Sequence, residues 1–197
     1  DVPGVGPVRV SMVDASNACV FVRAAELGLA GDELPAEIEN NTRAMQALAA
    51  IRLAASVTMG VARNLEEAAR KTSVPFVGFV SEPKDARMSS GDEIRAGDVD
   101  LTARIISNGQ PHRALPLGAS MCLAVAARIS GSVVHEVTRV PGRTDEDIRV
   151  AMPSGILRVT AEVRQEGDRW IVERGGFYRT QRRLFEGHLL VRAAAVA

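Results

Sequence analysis

The residues of this chain that could do chemistry gather in one stretch, LTARIISNGQPHRALPLGASMCLAVAARIS, residues 101 to 130. His112 is the most informative of the three histidines. It stands in a loop before an apolar run, and an imidazole is the side chain whose ordinary pKa lets it hold or move a proton near neutrality. Taken alone, a histidine there is more often structural or solvated. Cys122 could be a nucleophile, but it falls among apolar neighbours, where burial should raise the thiol pKa and keep it inert. Asn17, in Asp14-Ala15-Ser16-Asn17, could cap its own turn or offer its amide to a ligand, and the spacing favours the cap. Asp98 and Asp100 flank Val99. Two carboxylates alone are weak grounds for a metal site, and a solvated strand start is the expected reading. His135 and His188 follow no pattern. No GxGxxG after a strand, GxxxxGK[ST], CxxC, HExxH or GxSxG occurs.

The elements that would position these residues follow from periodicity and turn chemistry. Leu101 to Ser107 is an apolar, β-branched run suited to a strand, and Asn108-Gly109 marks a turn. A loop with His112, Arg113 and Pro116 then opens into Ala119 to Ala127, which has almost no polar face. A helix apolar all round is normally buried. Its first turn, Leu117 to Ser120, would present backbone N–H groups without intrahelical partners and the positive end of the helix dipole, a seat for carboxylate or phosphate. Gly118, Ala119 and Ser120 are small enough for close approach. Elsewhere, Val8 to Val13, Ala18 to Val22 and Pro75 to Val80 read as strands. Asn40 to Thr58 reads as an amphipathic helix buried on Ala44, Leu48, Ile51 and Ala55, and Leu65 to Lys71 as a short charged one. Glu82 to Gly97 reads as an exposed polar loop. Ile148 to Met152, Ile156 to Val163, Trp170 to Glu173 and Gly187 to Val191 read as short antiparallel strands, and Thr180 to Arg183 as a solvated basic edge. The fold class expected is α+β: mostly antiparallel strands wrapped around a central buried helix, plus one amphipathic helix.

Composition narrows the partners. Lys plus Arg balance Asp plus Glu at 24 each, with no basic block, which speaks against nucleic acid or an anionic membrane surface. Aromatic residues are 4%, too few for a base-stacking platform. Cys19 and Cys122 sit inside apolar runs and are expected to be free thiols of a reducing cytoplasm. No apolar stretch reaches the length of a membrane span and no signal peptide opens the chain. Residues 1–7, Asp1 to Pro7, are turn-rich and read as an interdomain linker or, equally, as a trimmed terminus.

The runs ARIISNGQPHRALPLGASMCLAVAARI, VSMVDASNACVFVRAAELGLAG, AIRLAASVTMGVA, MPSGILRV and RTQRRLFEGHLLV, in this order over most of the chain, resemble the C-terminal half of the PrpF family, which includes methylaconitate isomerases, methylitaconate isomerase and oxalomesaconate tautomerase. The resemblance implies a diaminopimelate epimerase-like fold: two similar domains, each with strands around a central helix, and an active site between them. Residues 1–7 would then link to an absent N-terminal domain. Residues 8–197 would form the C-terminal domain, with the strand near 187–191 shared with the absent one. The family's GGTSKG-type lysine segment and SGNCGN-type cysteine loop do not occur here, and Pro116 stands where diaminopimelate epimerases carry their second cysteine.

The resemblance therefore implies that this half holds substrate and contributes no catalytic residue. Asn17 matches a cleft-facing asparagine, which reverses the preference for a cap. Ser107 and Asn108 match a substrate-contacting pair, and Leu117, Gly118, Ala119 and Ser120 match the anion turn, with the hydroxyl displaced from the usual Thr-Gly-Ala order. His112 completes the expected substrate-binding set. Met59-Gly60 matches a recurrent segment of no assigned role. The implied partners are a small unsaturated polycarboxylate and the N-terminal domain of the same parent, in an isomerase or tautomerase that needs no metal and no cofactor. Two other readings stand beside it. One is a stand-alone polycarboxylate-binding module, and the other is an oligomerisation domain whose uncovered apolar face self-associates into a homo-oligomer.

Overall fold

The computed structural model describes residues 1–139, 146–180, 182–188 and 190. β1 (Val10–Asp14) and β2 (Ala18–Arg23) form an antiparallel pair around the turn that holds Asn17. Three helices follow, α1 (Pro35–Asn40), α2 (Thr42–Thr58) and α3 (Leu65–Arg70), before β3 (Phe76–Ser81) returns parallel to β2. After a small ribbon of β4 (Ala86–Arg87) and β5 (Glu93–Ile94), β6 (Leu101–Ser107) runs antiparallel to β3. A two-residue turn leads to β7 (Gln110–Pro111), and then come α4 (Leu117–Arg128) and α5 (Val133–Val137). β8 (Ile148–Met152), β9 (Gly155–Glu166) and β10 (Arg169–Phe177) close the chain's sheet, whose order is β1-β2-β3-β6-β8-β9-β10 with β7 on β6.

Most neighbours are antiparallel, as the short strands and tight turns suggest. The exceptions are β2 with β3 and β6 with β8, where helices intervene and give the chain the length to return in the same direction. Strand alternation divides the apolar residues between two cores. Cys19 and Phe21 of β2, Val80 of β3 and Leu101, Ala103 and Ile105 of β6 face α4. Val20, Val22, Val77, Phe79 and Ile106 face α2, which covers the other side with Ala44, Leu48, Ile51 and Ala55. Strands from both ends of the sheet, β1 and β2 as well as β9 and β10, touch α4. The sheet is thus curled around that helix, and Cys122 to Ala127 are fully enclosed. Each large apolar side chain so buried contributes ~1.5 to 3 kcal/mol.

Several local features differ from the sequence reading. The amphipathic helix starts at Thr42, because the Asn41 side chain accepts from the Ala44 N–H at 3.1 Å and caps it, while Asn40 ends α1. The Glu82 to Gly97 loop contains the β4-β5 ribbon and buries Ile94 against Val99 and Ala151. Asp100 is no solvated strand start: its side chain is 4% exposed and takes Arg149 through both carboxylate oxygens, at 2.8 and 3.2 Å. A carboxylate paired with a guanidinium in this way tolerates burial. Within residues 1–7, the Val2 N–H bonds the Gly6 carbonyl at 2.9 Å and the Val2 side chain packs into the α2 core. Of the strand expected over Gly187 to Val191, residues 189 and 191 lie outside the described residues, and Gly187, His188 and Leu190 lie in no strand.

A second buried charge lies on the α2 side of the sheet. Arg104 is 1% exposed. Its Nε donates to the Glu33 carbonyl at 2.6 Å and its Nη1 to the carbonyls of Ala103 and Ala151 at 2.9 and 3.3 Å. Burial lowers its pKa to about 10, against the pull of the Glu33, Asp32 and Glu37 carboxylates. The guanidinium ties the Glu33 segment to β6 and β8.

Candidate functional site

Register brings the expected site residues to one edge of the sheet. Cys19 pairs with Phe76 and Val77 with Ile106, so the starts of β2 and β3 lie beside the end of β6. Asn17 immediately precedes β2, and Ser107 ends β6. The amino end of α4 lies at the same edge, because Asn17 packs directly on Gly118: a Cβ built there would sit 1.8 Å from Asn17 Oδ1. The small residue at 118 is what lets the asparagine amide reach the helix tip.

That tip is open. Leu117 is 46% exposed, whereas Ala119 is fully buried. Pro116 provides no side-chain cap, and no described group accepts from the N–H groups of Leu117, Gly118 or Ala119. The Ser120 N–H bonds the Pro116 carbonyl at 2.9 Å, and the buried Ser120 hydroxyl donates to the same oxygen at 2.9 Å. The first turn therefore offers backbone donors, while its hydroxyl is spent inside the helix.

The Asn108-Gly109 turn sets the second half of the site. Both residues have positive φ, 49° and 74°, the conformation that joins two strands through two residues and that Asn-Gly favours. The resulting register, Ile106 with Pro111 and Ser107 with Gln110, continues to the His112 N–H, which bonds the Ile105 carbonyl at 2.8 Å. Ser107 and His112 thus become diagonal neighbours on the face toward α4, and Ser107 Oγ lies 2.6 Å from His112 Nε2. The Phe76 ring meets the imidazole edge to face at 6.4 Å. Burial pushes the His112 pKa below its ordinary value, so the ring is neutral at neutral pH. Asn108 sits outside this contact: the Thr72 hydroxyl donates to its Oδ1 at 2.9 Å, which secures the turn.

Cys122 lies one helical turn deeper, fully buried, its Sγ 2.9 Å from the Asn17 carbonyl. Burial raises its pKa, as expected, but burial does not act alone. The hydrogen bond from Cys19 and, opposing burial, the backbone of Ala15, Asn17 and Ser16 move Cys122 downward, while Cys19 moves upward through the same bond and its own burial. Both thiols are free and enclosed, so the more acidic one still has no route to a reactant. Three contributors were missed in the sequence: Thr72, Phe76 and Arg179. The Arg179 Nη2 donates to the Leu115 carbonyl at 2.8 Å and ties the segment after β10 to the loop before α4. Only Arg179 had a signal, through the RTQRR run. Among the described residues, no group of three or more His, Cys, Asp or Glu could hold a metal, and no helix is long and apolar enough to cross a membrane.

Similarity to known proteins agrees with this frame. The chain is 35% identical to the 2-methyl-aconitate isomerase of Shewanella oneidensis over 97% of its length and 48% of the relative's. It is also 35% identical to the 3-methylitaconate isomerase of Eubacterium barkeri, over 96% and 49%. A crystal structure of methylitaconate-delta-isomerase superposes with a TM-score of 0.79 at 31% identity, covering 90% of this chain and 49% of that one. The chain spans about half the length of the relatives it matches. The family model described as PrpF protein matches residues 1–192, and with those relatives it shows that this chain belongs to the PrpF family.

Proposed function

We propose that residues 8–197 form the substrate-carboxylate-binding half of a cofactor-independent isomerase or tautomerase that moves an allylic proton in unsaturated di- or tricarboxylates. The observation that carries this reading is the seating of Asn17 on Gly118 at the open amino end of α4, with the Ser107 and His112 pair at the same edge of the sheet, in a chain of the PrpF family. Backbone N–H groups there suit a carboxylate. In the reaction a base removes a proton next to the double bond, and charge spreads through a dienolate into the conjugated carboxyl group. An acid then returns the proton at another carbon or after rotation. Donors fixed where that charge collects lower the barrier because they need no reorganisation.

The proton-transfer groups belong, in this reading, to a second domain joined through residues 1–7. The half-length match to relatives supports that division, as does the absence of the lysine and cysteine segments from this sequence. Assay of the protein at the full length its gene encodes, with 2-methylaconitate, 3-methylitaconate and oxalomesaconate, is expected to show turnover of at least one. Residues 1–197 alone are expected to show none. Isomerisation by residues 1–197 alone would refute the division of labour.

A further inference from the structure

The Ser107 and His112 pair has a property that neither residue has alone. A neutral imidazole carries one N–H and a serine one O–H. Their mutual bond at 2.6 Å uses one of these two protons, so the pair always keeps one donor for a third group. Which end presents it depends on access. Ser107 is 6% exposed and lies at the inner end, whereas His112 is only partly buried. No described group bonds to His112 Nδ1. The arrangement that uses both groups well has the Ser107 O–H donating to Nε2, which fixes the remaining proton on Nδ1. Phe76 on the ring edge and the ladder bond from the His112 N–H to Ile105 hold the imidazole plane.

We infer that His112 is a neutral N–H donor to the substrate carboxyl group on which charge collects, and that Ser107 is the positioning residue that sets its tautomer. This inference rests on the reading under Proposed function. It goes further in assigning a reaction-specific role to a side chain rather than general affinity to a helix end. A neutral imidazole suits the role because it polarises a carboxyl oxygen without first forming a tight ion pair with the ground-state carboxylate, so its bond strengthens mainly as charge develops.

The test uses the full-length protein and two readouts. Nitrogen-15 NMR of His112 is expected to show the Nδ1–H tautomer in the wild type and a mixture in Ser107→Ala. Steady-state kinetics are expected to show His112→Leu lowering kcat/KM by ~100-fold or more, with the loss mainly in kcat, and His112→Gln, which keeps an amide donor, recovering most of it. Adding Ser107→Ala to His112→Leu is expected to cost nothing further, since the serine acts only through the ring. An Nε2–H tautomer in the wild type, an additive double variant, or His112→Leu within twofold of wild type overturns the inference. In that last case the wild type still turns over substrate and only this inference fails. A wild type inactive on all three acids overturns the reading beneath it as well.

Discussion

Asn17 and Gly118 fit together as side chain and gap: the asparagine Oδ1 occupies the space in which a Cβ at 118 would lie, 1.8 Å from it. The two residues are 101 positions apart by their numbers, and their contact joins the β1-β2 turn to the first turn of α4. Gly118→Ala should therefore displace Asn17 despite alanine's better helix propensity. Loss of turnover in the full-length protein is expected, with Tm lowered. In an Asn17→Ala background the amide is gone and only the Cβ at 17, 3.2 Å from the new methyl, stays in the way, so the same Gly118→Ala change should lower Tm far less. Thermal melts of the four proteins of this cycle check it.

Arg104 holds three main-chain carbonyls inside the sheet. Arg104→Met would fill similar space but leave the Glu33 and Ala151 carbonyls without this donor, at a cost of ~1 to 3 kcal/mol for each group left unpaired. Urea denaturation should show a lower midpoint with an unchanged slope. A midpoint equal to wild type would mean that the segment around Glu33 closes over the gap.

Leu123 is fully enclosed where the curled sheet meets α4. Leu123→Ala should destabilise by ~2 to 5 kcal/mol, through lost transfer free energy and the cavity left behind. Leu117, on the same helix but 46% exposed, should tolerate alanine within ~0.5 kcal/mol. Chemical denaturation of both variants tests whether the helix is buried along its length and open at its amino end.

His112 is held below its ordinary pKa by burial. The unfolded chain therefore binds a proton at this site at higher pH than the folded one, and stability rises with pH across that window. The contribution should be complete above ~6.5, the ordinary histidine value, and should fall as acidification passes below it. His112→Gln should flatten the stability profile between ~6.5 and the lower folded pKa. A variant profile parallel to wild type over that range would contradict it.

The two long helices and the central strand β6 were legible in the sequence, whereas β9 and β10 run several residues beyond the short strands that their alternation marks. The all-apolar Ala119 to Ala127 run could be satisfied only by enclosure, and the Ala44, Leu48, Ile51, Ala55 stripe fixed which face of α2 is buried, because both signals are local and repeat with the helical period. Asn108-Gly109 likewise announced the two-residue turn that sets the register of Ser107 and His112. What needed the tertiary structure was every relationship between distant positions. The two parallel strand pairs, the pairing of Asp100 with Arg149, the Arg104 bonds to Glu33 and Ala151 and the contact of Cys122 with Asn17 all join positions 47 or more residues apart. A pKa or a buried charge is decided by what surrounds the group in space, and periodicity along the chain carries no record of that.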